Sequence, residues 1–192
     1  MEEYLQWLND NQWLNLIFLV LAIVSIIISI FLFRKSRKNK IPLFDKRSIN
    51  VISEKIKNIG DIKVSYKGDS IDNLTVTKVA FWNNGNETIN ESDQAPTDKL
   101  RIILEENITV LEAEVIFQSN PTNNIQIENL SDKILVAFDY LDGNQGGIIK
   151  FIHTGKNSAD VDFVGTFKGS NTLKRVNSGV FNLGISVIFK LP

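Results

Sequence analysis

The sequence predicts a mainly β protein: a β-sandwich domain preceded by one N-terminal transmembrane helix. Residues 13–33 form an apolar run without a single charge, and Arg34, Lys35, Arg37, Lys38 and Lys40 follow it at once. Beyond that cluster, short runs alternate apolar and polar residues with a period of two, the pattern of strands with one buried face. Asn-Gly, Asp-Gly and Thr-Gly pairs punctuate the runs where the chain must reverse. The chain therefore reads as a short extracytoplasmic tail (1–12), a transmembrane helix (13–33), a basic juxtamembrane collar (34–40) and a β domain (41–192).

At about 1.5 Å of rise per residue, the apolar run is long enough as a helix to cross a hydrocarbon core of roughly 30 Å. A cleaved signal peptide would call for a basic start, a shorter apolar stretch and a small-residue cleavage site. Here Glu2, Glu3 and Asp10 come first, and Phe31-Leu32-Phe33 runs straight into charge. The expectation is an uncleaved anchor. Because basic flanks stay on the cytoplasmic side, the N-terminus is expected outside and the domain in the cytoplasm. Tyr4, Trp7 and Trp13 suit the outer interface, where aromatic rings rest among headgroups.

Within the helix, Asn15, Phe18, Ala22, Ser25 and Ser29 recur at intervals of three and four residues, which places them on one stripe. Small and polar residues on one face let two backbones approach, so Asn15, Ala22, Ser25 and Ser29 are candidates for self-association into a homo-oligomer. The ordinary alternative is that Ser and Ala are common in membrane helices. The collar Arg34, Lys35, Arg37, Lys38 and Lys40 is a candidate contact with anionic lipid, worth about 1 kcal/mol per base. Its simpler role is to fix topology.

Composition narrows the chemistry. The chain has no Cys, which excludes disulfides, thiolate metal sites and cysteine nucleophiles. Net charge is −1, and removing the three N-terminal acids and five collar bases leaves 16 Lys and Arg against 19 Asp and Glu, or −3. A slightly acidic domain offers no footprint for nucleic acid. Five Asn-x-Ser/Thr sequences begin at Asn73, Asn86, Asn90, Asn107 and Asn129, and because an Asn-rich chain holds several by chance they do not argue for glycosylation against a cytoplasmic domain.

Along the domain, residues 53–59 read as a turn or two of helix, with Ser53 as N-cap and Gly60 as the stop. Ile62, Val64 and Tyr66 alternate next. Leu74 and Val76 follow, with a phase shift near Lys78 before Val79 and Phe81, the signature of a bulge. Further rows are Leu100, Ile102 and Leu104; Leu111, Ala113, Val115 and Phe117; Ile134, Val136, Phe138 and Tyr140; and Val161 with Phe163. Residues 180–189 are too short to span a membrane and alternate as a final strand. The near absence of helix argues against parallel α/β folds, which need crossover helices. The stretch Phe81-Trp82-Asn83-Asn84-Gly85-Asn86-Glu87-Thr88-Ile89 resembles the strand, turn and short strand of immunoglobulin-like modules. That resemblance implies an immunoglobulin-like β-sandwich as a class and brings no functional residues with it.

No catalytic constellation emerges. His153 is the sole histidine, so a Ser-His-Asp triad would rest on it alone, and no nucleophile elbow accompanies it. Pairing the run ending at Tyr140 with the one starting at Ile148 sets Ile134 opposite His153, Val136 opposite Phe151 and Phe138 opposite Ile149. His153 then reads as a half-buried structural residue, against a ligand or pH-sensing role. Asp139, Asp142 and Asn144 surround a Gly-rich loop but lack the EF-hand spacing, so they read as a hairpin turn before a calcium site. Gly146-Gly147 has no following Gly-Lys-Ser/Thr and makes no phosphate loop. Lys168, Lys174 and Arg175 around Gly169-Ser170-Asn171 read as a solvated loop.

The expected function is thus a membrane-anchored binding or scaffolding module for an unknown protein or small-molecule ligand. It is expected to be non-enzymatic, without cofactor or metal, in contact with membrane lipid and without a nucleic-acid partner. The alternative is a membrane-acting effector whose β domain senses a signal and clusters the helices.

Overall fold

A computed structural model of the chain describes residues 6, 12–53, 65–130, 132–170 and 173–176. They belong to two compact units, Met1–Lys38 and Asn39–Pro192. The first contains helix α1, Gln12–Ser36. It has no Gly or Pro inside it to break the backbone ladder. Within it, Trp13–Arg34 has a mean hydropathy of 3.3 over its most apolar window and is long and apolar enough to cross a membrane, a description that a signal sequence near an N-terminus also meets. The helix runs beyond the predicted 13–33, so the backbone of Arg34 and Lys35 lies in its last turn.

The second unit is mainly β. Its described strands are β1 (Pro42–Ile52), β2 (Ser65–Tyr66), β3 (Asp69–Ser70), β4 (Leu74–Asn83), β5 (Ile89–Asn90), β6 (Arg101–Leu104), β7 (Val110–Gln118), β8 (Gln126–Leu130), β9 (Lys133–Ala137), β10 (Tyr140–Leu141), β11 (Gly146–His153), β12 (Val161–Val164) and β13 (Lys174–Arg175). They form an open five-stranded sheet, β13-β1-β4-β11-β7, an open four-stranded sheet, β12-β6-β9-β8, and the pairs β10-β5 and β2-β3. Apart from the parallel β1/β13 contact, neighbours in these sheets are antiparallel.

The two larger sheets share one apolar cluster. Phe44, Val79, Phe81, Ile149 and Phe151 from the first meet Ile102, Ile134, Val136, Val161 and Phe163 from the second. Phe163 touches Phe44 edge-on and Phe81 at a tilt, both at 5.5 Å between centroids. A smaller cluster of Ala80, Trp82 and Ile148 lies apart from it, with Leu43, Phe117 and Val176 packed against it.

Several predicted details change. β1 escapes an alternation search because Asp45, Lys46 and Arg47 interrupt it. Lys46 is nonetheless buried, its ammonium donating to the Val161 carbonyl and, at 3.1 Å, to Asp162 Oδ1, so its stem carries charge out of the core to β12. β4 has no bulge at Lys78: its register with β1 and β11 is continuous there. The buried row is Thr75, Thr77, Val79 and Phe81, and Leu74 and Val76 are only half-buried on alternate positions. The bulges lie in β7, at Leu111 and Ile116, and the second one turns Phe117 away from the row of Ala113 and Val115 toward Trp82.

β11 pairs with β4 and β7, setting His153 beside Thr75 and Val110 instead of Ile134. β5 pairs with β10 and not with β4, so residues 81–89 are no hairpin. Their Asn-Gly turn instead seats the start of the domain. Asn39 accepts from the Asn86 and Glu87 amides at 3.0 and 3.2 Å, and a side chain at Gly85 would put its Cβ 1.9 Å from the Asn39 oxygen. Lys174 and Arg175, predicted in a loop, form β13 beside β1. The predicted helix beyond Ser53, the positions Ile62 and Val64, and the final strand 180–189 lie outside the described residues.

Candidate functional site

Two features carry functional content: the apolar surface of α1 and a buried polar network at one end of the five-stranded sheet. Along α1 the large apolar side chains from Leu16 to Phe33, with Trp13, are exposed, from 44% at Val24 to 77% at Trp13. The four stripe residues Asn15, Ala22, Ser25 and Ser29 are exposed as well. Ser25 Oγ donates to the Ala22 carbonyl at 2.8 Å and Ser29 Oγ to the Ser25 carbonyl at 2.7 Å. These back-bonds hide the hydroxyl protons within the helix and leave the stripe small and nearly apolar.

The collar bases do not act as one group. Arg34 and Lys35 extend the helix, and Arg37 lies over the Phe33 ring at 5.6 Å from its centroid. Lys38 is exposed. Lys40 belongs to the β domain, where its ammonium sits 2.8 Å from Asp93 Oδ2. Burial acts to raise the Asp93 carboxyl, but Lys40 and the Asn90 amide outweigh it and hold it below the usual carboxylate value.

The polar network is built on the row Thr75–Thr77 of β4. Thr77 Oγ1 lies 2.7 Å from His153 Nε2 and 2.6 Å from Ser48 Oγ of β1. On the other side of the ring, the Gly155 amide donates to His153 Nδ1 at 3.1 Å. Thr75 Oγ1 donates to the Gly155 carbonyl at 2.5 Å and accepts from Asn50 Nδ2 at 2.9 Å. Since Nδ1 accepts, it carries no proton, and the neutral ring is the Nε2–H tautomer donating to Thr77.

His153 is fully buried, where the prediction was half-burial. Burial lowers its pKa from the ordinary 6.5, and the nearby Asp160 carboxylate opposes that shift. Sequence alternation missed this network because it treats Thr and Ser as surface residues. The signal available was a row of β-branched hydroxyls on the phase of Val79 and Phe81.

Asp139, Asp142 and Asn144 have separate partners. Asn124 Nδ2 approaches both Asp139 oxygens, Thr88 Oγ1 donates to Asp142 Oδ1 at 2.5 Å, and Asn144 takes a left-handed φ of 64° in the turn. Among the described residues no group of three or more His, Cys, Asp or Glu could hold a metal ion. Lys168 donates to the Ser92 carbonyl at 2.9 Å, apart from exposed Lys174 and Arg175.

No protein-family model matches this chain, and comparison with curated proteins and with solved structures gives no match.

The His153 geometry predicts a pH-dependent stability. With the folded pKa below the unfolded one, the unfolded chain binds the extra proton, so the neutral ring's contribution is complete above about pH 6.5 and fades as pH falls below it. Asp45, whose carboxyl burial raises, contributes with the opposite sign. Thermal unfolding of the full chain in detergent micelles should therefore be compared with that of His153→Gln. The variant should lose about 1–3 kcal/mol at pH 7.5, as buried donors go unmet. It should also lose stability less steeply between about pH 6.5 and 5. Equal slopes would remove His153 from the account.

Proposed function

We propose that the chain is a single-pass membrane-anchored binding or scaffolding module whose β domain lies in the cytoplasm and takes an unidentified protein or small-molecule ligand. The observation that carries this reading is a helix apolar on all sides, with its large side chains exposed. A helix that is hydrophobic all round has no polar face to give to water, and lipid is the solvent that accommodates it. Orientation is argued from the bases that follow the helix and the acids that precede it.

For the domain we propose an immunoglobulin-like sandwich. It is supported by two open sheets, antiparallel apart from the β1/β13 contact, that share one core, with the chain crossing repeatedly from one sheet to the other. Loops and sheet edges on such a scaffold are the natural binding surfaces. A non-enzymatic role is supported by His153, which is buried with both ring nitrogens engaged.

A single thiol tests the orientation, because the chain has no Cys to compete with it. Glu106→Cys lies in an exposed turn. A membrane-impermeant maleimide should label it only after cell lysis, and labelling of intact cells would overturn the cytoplasmic placement.

We also propose that two helices pack through Asn15, Ala22, Ser25 and Ser29. With the hydroxyls already bonded within each helix, close backbone approach would be the driving contact. Ser25→Leu with Ser29→Leu should weaken self-association in micelles about fivefold, corresponding to roughly 1 kcal/mol. Sedimentation showing unchanged association would exclude the stripe.

A further inference from the structure

The turn 154–160 is tied down by groups that meet at Gly155. A Cβ at that glycine would lie 2.8 Å from both His153 Nδ1 and Asp160 Oδ2. The two atoms are therefore no more than twice that distance apart. In the neutral state each has its own donors. Nδ1 accepts the Gly155 amide, and Asp160 Oδ2 accepts the Lys156 amide at 2.5 Å and the Asn157 amide at 3.0 Å. Asn157 in turn caps the short 3-10 turn Ser158–Asp160 through the Ala159 amide.

We propose that His153 is a proton-operated latch on this turn: when Nδ1 takes a proton from solvent, it stops accepting from Gly155 and donates to Asp160 instead, drawing on the carboxylate that holds the Lys156 and Asn157 amides. The loss of the Gly155 bond is forced by donor count. A protonated ring has N–H on both nitrogens, so Nδ1 can no longer face the Gly155 N–H, whereas a carboxylate is the acceptor that an imidazolium prefers.

The other groups around the ring do not compete for that proton. Ser48 and Asn50 from β1, Thr75 and Thr77 from β4 and Val110 from β7 do not titrate. Lys46, on the same strand as Ser48, directs its ammonium to Val161 and Asp162. The Phe151 ring lies tilted beside it, 5.4 Å between centroids, and offers no charge. Nε2–H keeps its bond to Thr77 in both states, so the ring stays in place while the turn lets go. The turn also forms one wall of a surface cleft of about 310 Å³ lined by Ile103, Leu104, Glu105, Ala159, Asp160 and Asp162, which would remodel in acid.

Because His153 is the sole histidine, its ring gives one set of signals in NMR of the full chain in detergent micelles. The long-range ¹⁵N spectrum should show the Nε2–H tautomer at pH 7.5 and the imidazolium below the midpoint. The Gly155, Lys156 and Asn157 amides should shift with that same midpoint. In Asp160→Asn the midpoint should fall, and the Lys156 and Asn157 shifts should uncouple from it. An Nδ1–H tautomer at neutral pH, amides that do not move with the ring, or a ring that stays neutral until global unfolding would each overturn the latch. The tautomer and amide tests need only the natural chain, so they stand even if the variant does not fold.

Discussion

The β domain depends on the placement of β4 between β1 and β11. Held by antiparallel ladders on both sides, β4 cannot slip by one residue without exchanging its two faces. Its inward row therefore fixes what each part of the core is made of. Val79 and Phe81 meet the four-stranded sheet, and the hydroxyls of Thr75 and Thr77 bond to polar partners and the His153 ring. Asn83, at the far end and fully buried, donates to the Glu87 and Leu141 carbonyls and accepts from the Ile41 and Gly85 amides. One strand thus joins the seat of the domain's first residues, its apolar core and its titratable end.

The two kinds of core respond differently to their surroundings. Apolar packing around Phe163 varies little with pH, because nothing in it ionises. The network at Thr75 and Thr77 is fully satisfied only with a neutral imidazole, which gives the domain a sensitivity to acid localised at one turn. Buried polar networks of this kind rigidify a site while complete and become costly when one member loses its partner. Lys46 shows the complementary solution: its charge is carried to the edge of the core, where a carbonyl and the carboxylate of Asp162 receive it.

Much of this architecture was legible in the sequence. The membrane-length helix was evident from hydropathy alone, and the rows of Leu100 and Ile102, Ile134 and Val136, and Val161 and Phe163 are buried as their alternation implies. What failed was the equation of apolar with inward. In β4 that rule chose Leu74 and Val76 over Thr75 and Thr77, and in β1 it passed over a strand whose buried residues include Asp45 and Lys46. The bulges of β7 leave no local mark, because they arise from pairing with β11. Pairing partners were the least legible of all. Chain order suggested a hairpin into His153, yet β11 crosses to the other sheet, and the polar site exists only because it does so.

That crossing is the claim on which the site rests, and register cross-linking tests it directly. Lys78 and Lys150 lie opposite each other on β4 and β11, and neighbouring antiparallel positions fall within the Cα separations a disulfide accepts. In a chain otherwise free of Cys, Lys78→Cys with Lys150→Cys should close to an intramolecular disulfide on mild oxidation of the folded protein. The pair Val136→Cys with Phe151→Cys, opposite each other in the hairpin that chain order suggests, serves as the rival register. Ready closure of the first pair is the predicted result. Failure of the first with closure of the second would return β11 to β9, and the Thr77–His153 network would have no place in the fold.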